Sequence, residues 1–145
     1  MIKSRNLIFT TLRLTMAFIF LWAFFDKVFG LGFATTTTSA WINGGSPTTG
    51  FLSYGTHGPL ATFFQSLAGN GLIDWLFMLG LLFVGLTFLF NRFIKWGAFA
   101  GAIMMLLMWL ATFPSENNPL IDEHIIYAHV LLSFAVKNGT VKPSR

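Results

Sequence analysis

The chain has 145 residues and no cysteine, with 54% hydrophobic residues, only 10% charged residues and a mean hydropathy of +0.69. Soluble globular chains carry about 25% charged residues, so this composition excludes a cytosolic enzyme and predicts one integral membrane domain over residues 1–145. The net charge of +4 does not indicate nucleic-acid binding, because the basic residues border apolar runs instead of sharing one face.

Four apolar runs follow one another along the chain. A membrane-spanning helix needs about 20 apolar residues, and we predict spans at about 7–27, 72–90, 96–113 and 119–136. The short connections after the second and third runs predict antiparallel neighbours. The fold class that follows is all-α, an up-down four-helix membrane bundle with a partly helical outer loop at 28–71.

The fourth run is the least apolar of the four. Asn118 can cap it, and Pro119 suits the first helical position. Asp122 and Glu123 then fall in the predicted first turn, and Lys137 closes the far end, which matches the helix dipole at both ends.

The basic residues predict the orientation. Seven of the nine lie on one side of the membrane, namely Lys3, Arg5, Arg92, Lys95, Lys137, Lys142 and Arg145. The positive-inside rule then places both termini in the cytoplasm, with the chain as a multi-pass protein of the inner (plasma) membrane. A cleaved signal peptide is the alternative for the first run, but its small-residue site at 38–40 lies too far beyond the apolar stretch.

The outer loop is too long for a plain connector. Ser46 and Pro47 predict a short helical turn that Gly55 ends, and Pro59 predicts a second helical piece that Gly69 ends. The second piece is apolar enough to lie flat in the headgroup region. The loop is interpreted as a structural lid, with the wall of a lipid-soluble ligand site as the alternative.

Small residues mark one face of the third run. Gly97 and Gly101 form a GxxxG pattern, which lets two helices approach closely. We interpret the pattern as packing within one chain and not as a dimer seam. The sequence leaves open whether the chain forms a homo-oligomer.

Ionisable groups within a membrane are costly and so indicate function. Helical spacing puts Asp122, His129 and Ser133 on one stripe of the fourth helix, with His124 and Tyr127 roughly opposite. We expect the Asp122 stripe to face the bundle and its histidine to exchange protons. The two histidines point about 140° apart, which disfavours haem ligation by both, and no metal site is predicted.

Each of two basic residues in the first run has two possible roles. Arg13 either snorkels to the headgroups or points inward. Lys27 forms an interfacial ion pair with Asp26, or a buried charge pair with Asp122 at the outer mouth.

Several stretches together resemble the DoxX/DoxD family of small four-helix membrane proteins. The similarity lies in Leu12-Arg13-Leu14, Asp26-Lys27, the stretch 41–48, Asn118-Pro119, Asp122, His124 and Tyr127. Members of that family are associated with quinone-linked redox chemistry, notably as subunits of thiosulfate:quinone oxidoreductase. The resemblance implies a quinone-linked role.

The resulting hypothesis is a membrane oxidoreductase subunit that binds a quinone near the outer face and takes electrons directly from a reductant or from a redox partner. The predicted proton-handling residues are Asp122, His124 and His129, and the predicted quinone-binding residues are Arg13, Lys27, Trp41 and Tyr127. The alternative is a non-catalytic scaffold that docks a redox partner. A small-molecule carrier is disfavoured, because the third run carries no charge.

Overall fold

The computed structural model describes residues 2–116 and 118–139. The side chains of Lys3, Arg5 and Lys137 lie outside that description, as do Lys142 and Arg145 altogether. The α-helices are α1 (Ile2–Phe29), α2 (Ala61–Gln65), α3 (Gly71–Phe90), α4 (Ile94–Ala111) and α5 (Glu123–Gly139). The described residues contain no β-strand, so the predicted all-α class is confirmed.

Three stretches are long and apolar enough to cross a bilayer, namely Leu7–Phe29 of α1, Gly71–Phe90 and Ile94–Ala111. They indicate a membrane protein. The apolar part of α5, Glu123–Val136, is shorter, and at 1.5 Å per residue it covers about 21 Å.

A tight turn makes α3 and α4 antiparallel. Asn91 ends α3 in the left-handed conformation, and its backbone N–H bonds the Thr87 carbonyl. Phe93, also at positive φ, immediately precedes α4. The turn confirms the predicted short connection, although α4 begins at Ile94, two residues before the predicted start.

One apolar core joins the four long helices. Helix α1 packs on α3, α3 on α4, and α4 on α5. The Phe134 ring of α5 meets Phe88 of α3 at 5.3 Å and Phe9 of α1 at 5.8 Å, measured between ring centroids. We call this the lower end of the molecule; at the upper end, α1 and α4 finish and α3 and α5 begin.

The two glycines of the GxxxG pattern are buried inside this core. A Cβ on Gly97 would lie 1.9 Å from Thr87 Oγ1 of α3. A Cβ on Gly101 would meet Leu131 of α5 at 3.0 Å and Val84 of α3 at 3.2 Å. Both glycines thus serve close packing within the chain.

The segment between α1 and α3, residues 30–70, is called the connecting segment below. It contains 3₁₀ turns at Thr37–Ser39 and Trp41–Asn43, a π-helical turn at Phe51–Gly55, and α2. The two predicted helical pieces are therefore present. Leu52 and Phe64 form a small second core with Ala111, which seats the segment on the end of α4.

The start of α5 differs from the prediction. The side chain of Asn118 accepts the N–H groups of Leu120 and Ile121, which makes a separate turn. The helix begins only at Glu123, because the carboxylate of Asp122 accepts the N–H groups of His124 and Ile125 and caps it.

Candidate functional site

A carboxylate and an imidazole meet at the upper end of α5. Nδ1 of His124 lies 2.9 Å from Oδ2 of Asp122, and their side chains are 15% and 9% exposed. An ionised carboxylate only accepts hydrogen bonds, so Nδ1 donates and Nε2 of neutral His124 is left as the acceptor. Orienting an imidazole in this way prepares Nε2 for proton exchange.

The carboxylate of Asp122 accepts several hydrogen bonds. They come from Nδ1 of His124, the N–H groups of His124 and Ile125, and Ser115. The hydroxyl of Ser115 donates to Oδ2 at 3.1 Å. The carboxylate is thus held by the α4–α5 connection as well as by its own helix.

Replacing Asp122 by alanine should lower the free energy of unfolding by about 1–2 kcal/mol, because the cap of α5 is lost. Asparagine keeps a capping oxygen, so Asp122→Asn should retain most of this stability. Thermal unfolding in detergent at about pH 7 compares the three proteins. Equal losses in Asp122→Ala and Asp122→Asn would contradict the capping role.

The ammonium group of Lys27 is half-buried near the upper end of α1. Its Nζ lies 5.9 Å from the ring centroid of Phe77 on α3. Neither expected ion pair of Lys27 forms, since no carboxylate in the described part of the chain lies within 4.0 Å of its ammonium group. Lys27 therefore offers a cation that no carboxylate neutralises by direct contact.

Asp26 is fully buried and forms no direct ion pair with its neighbour Lys27. Its two carboxylate oxygens accept the backbone N–H groups of Phe33 at 3.3 Å and Ala34 at 3.0 Å. Asp26 thus anchors the start of the connecting segment and is not part of an ion pair.

Asp74 holds the middle of the connecting segment to the first turn of α3. Its Oδ1 accepts the hydroxyl groups of Ser46 at 2.8 Å and Thr48 at 2.6 Å, and the Thr48 N–H at 3.3 Å. The sequence interpretation gave neither Asp74 nor Asp26 this role. Both acids flank a long loop without charged residues. That pattern is the signal that could have suggested that they hold the loop by hydrogen bonds.

His57 joins the connecting segment to the α4–α5 connection. Its Nε2 donates to the Pro114 carbonyl at 2.9 Å, and its backbone N–H donates to the Ala111 carbonyl at 3.2 Å. Since Ser115 follows directly, the segment is fastened beside the hydroxyl group that reaches Asp122.

The predicted inward face of α5 is wrong. His129 and Ser133 are exposed, and Nδ1 of His129 bonds the Ile125 carbonyl of its own helix. The residues that face the core are Ala128, Leu131, Phe134 and Ala135. Small and apolar side chains fit the helix interface there, which turns His129 away from Asp122.

Arg13 is far from the upper end. It donates to the carbonyl groups of Phe88 and Leu89 at the end of α3. Of the two alternatives for this residue, the inward one is therefore observed. Fourteen residues separate Arg13 from Lys27 on one helix, or about 21 Å, so the two cations cannot contact the same quinone ring.

The two predicted aromatic residues are half-buried. The Trp41 ring meets Trp75 of α3 edge-on at 4.7 Å between centroids. Tyr127 packs against the main core from α5. The side chains at the upper end are thus Lys27 on α1, Trp41 in the connecting segment, and His124 and Tyr127 on α5.

Comparison of the chain with known proteins gives no match to a family model, a curated protein or a solved structure. The likeness to the DoxX/DoxD family therefore rests on the residues quoted above and stays a prediction. The chemistry available at the upper end follows from its side chains: an imidazole oriented by a carboxylate and a half-buried ammonium group with an aromatic ring beside it.

Proposed function

We propose that the chain is the membrane subunit of a quinone-linked oxidoreductase that binds a quinone at its upper end. The Asp122–His124 pair carries the proposal, because an imidazole oriented by a carboxylate is suited to proton exchange near neutral pH. The resemblance to the DoxX/DoxD family supports a quinone as the ligand.

We propose that the chain crosses the inner (plasma) membrane four times. Both termini then lie in the cytoplasm. Arg92 and Lys95 lie at the lower end, between α3 and α4, and the positive-inside rule then makes that end cytoplasmic. Helix α5, at 17 residues, is about 26 Å long and crosses together with the turn that precedes it.

We infer the contacts of a bound quinone from the chemistry of the side chains at the upper end. The ring of such a ligand needs hydrogen-bond donors for its two carbonyl oxygens and apolar walls for its faces. Lys27 provides a donor and a positive charge, Tyr127 a hydroxyl group, and Phe77 and Trp41 aromatic surface.

When bound, a quinone would accept two electrons and two protons to become a quinol. His124 would pass protons through Nε2, while Asp122 holds its ring and stabilises its charged form. Lys27 would stabilise negative charge that develops on a ligand oxygen. The chain has no cysteine for an iron–sulfur cluster, and we place the electron source in a partner subunit.

The test is a titration of the purified chain in lipid nanodiscs with short-tailed ubiquinone and menaquinone analogues, followed by tryptophan fluorescence. His124→Gln and Lys27→Met should each weaken binding by about 10-fold or more, since Lys27 and the protonated form of His124 would each donate a charge-assisted hydrogen bond to a quinone oxygen. His129→Gln is the matched control and should bind as wild type, because His129 faces away from the core. Absence of saturable binding, or equal affinity in all four proteins, would exclude the site.

A non-catalytic scaffold is the second candidate. The observation that favours it is that Asp26, Asp74 and Arg13 are all engaged with backbone groups or loop hydroxyls of the chain itself. A scaffold would co-purify with a stoichiometric redox partner and show no saturable quinone binding of its own.

A further inference from the structure

The stretch from residue 28 to residue 73 contains no Asp, Glu, Lys or Arg, a run of 46 residues. At the usual frequency of about 25%, a water-facing stretch of that length would carry about eleven. His57 lies in this run, and its ring is hydrogen-bonded to Pro114. The connecting segment thus has the charge content of a membrane span, although it is not one.

The ring of Phe33 packs against the side of the membrane-spanning helix α1. The ring meets Trp22 of α1 edge-on at 5.0 Å, and Trp22 in turn stacks on Phe18 at 5.7 Å. Trp22 lies seven residues before the end of α1, about 10 Å into the span. Phe33 is 72% exposed and Phe18 64%, so one exposed aromatic strip runs from the middle of α1 onto the connecting segment.

Backbone at such a depth needs hydrogen-bond partners from the protein, because lipid offers none. The buried carboxylate of Asp26 provides them for Phe33 and Ala34. Without Asp26 this return of the chain would leave two N–H groups unsatisfied in lipid, whereas in water they would be solvated. The contact therefore has the arrangement that a lipid-facing turn requires.

Helix α2 has one apolar face packed against the protein and another apolar face exposed. Phe64 is buried in the second core against Ala111, while its neighbour Phe63 is 58% exposed. Leu60, one turn earlier on the side of Phe63, is also exposed. An uncharged helix with one apolar face packed and another open is suited to lie in the membrane interface.

We propose that the connecting segment is seated in the lipid of the upper leaflet, with Phe33 and Phe63 inserted below the phosphate groups and Asp26 anchoring its first turn. The lipid of the bilayer covers the exposed aromatic surface. This inference does not depend on quinone binding.

The experiment uses the absence of native cysteine. Single cysteines at Phe33 and Phe63 receive a nitroxide label, and the full chain is reconstituted in phosphatidylcholine vesicles. Phe18→Cys on α1 is the lipid reference, and Glu116→Cys, exposed at the upper end, is the aqueous reference. The relative collision rates with oxygen and with a water-soluble nickel chelate give the depth of each label.

Labels at both Phe33 and Phe63 should lie at or below the lipid phosphates, grouped with Phe18. If either label groups with Glu116 on the water side, the proposal is wrong. In the Phe33 labelled chain, Asp26→Leu should move the label toward water and Asp26→Asn, which keeps an acceptor oxygen, should move it less. An unmoved label in Asp26→Leu would overturn the anchoring role.

Discussion

Replacing Asp74 by alanine should lower the free energy of unfolding by about 3 kcal/mol and release the connecting segment. A single oxygen of Asp74 accepts the Ser46 hydroxyl, the Thr48 hydroxyl and the Thr48 N–H, and the carboxylate is buried. Each buried donor left without an acceptor costs about 1–3 kcal/mol. The network also extends outward, since Thr49 joins Ser46 to the Gly69 N–H.

The measurement is thermal unfolding in detergent together with limited proteolysis of the connecting segment. Asp74→Asn is the matched control, because an amide oxygen can accept the same three donors without a charge. We expect Asn to retain most of the stability and the protease resistance. Equal losses in both variants would show that the charge, and not the acceptor, holds the segment.

Replacing Gly97 by alanine should cost about 2–3 kcal/mol. The new methyl group would lie 1.9 Å from Thr87 Oγ1 and 2.9 Å from Thr87 Cβ. The hydroxyl can rotate, but the Cβ is fixed to the backbone, so α3 and α4 must separate. Overpacking of this kind costs about 1–3 kcal/mol in well-packed cores.

Gly101→Ala is the control on the same helix. Its methyl group would meet the ends of the Leu131 and Val84 side chains at 3.0 and 3.2 Å, and these can shift. We expect a loss of at most about 1 kcal/mol in the same detergent unfolding assay. If Gly101→Ala were the more damaging change, the α3–α4 contact at Gly97 would not be the tighter one.

Hydropathy predicted the spanning helices well. The predicted 72–90 and 96–113 correspond to Gly71–Phe90 and Ile94–Ala111. The pattern is strong because lipid allows few charges within a span, and asparagine and glycine mark the ends.

The fourth helix was harder, because two caps compete locally. Asn118 and Asp122 are both good N-cap residues, and only the folded chain shows that Asn118 is used by its own turn. The sequence also did not determine which face of α5 is buried. Both of its faces mix polar and apolar residues, and which one is buried depends on what α4 presents to it.

The direct contact of Asp122 with His124 could not be predicted from helical spacing. That spacing placed the two residues on roughly opposite faces, but Asp122 precedes the helix as its cap, where the 100° rotation per residue does not apply. The bonds of Asp74 and His57 join parts of the chain that are distant in sequence. No local pattern fixes such pairs.

The guanidinium group of Arg13 has a consequence for biogenesis. Its acceptors are the last carbonyl groups of α3, and α3 is synthesised some 60 residues after α1. Until α3 arrives, α1 must reside at the translocon or in the bilayer with an uncompensated cation, a burden of up to about 3 kcal/mol. The arrival of α3 removes this cost, so α1 becomes more stable in the membrane once the two helices have packed together.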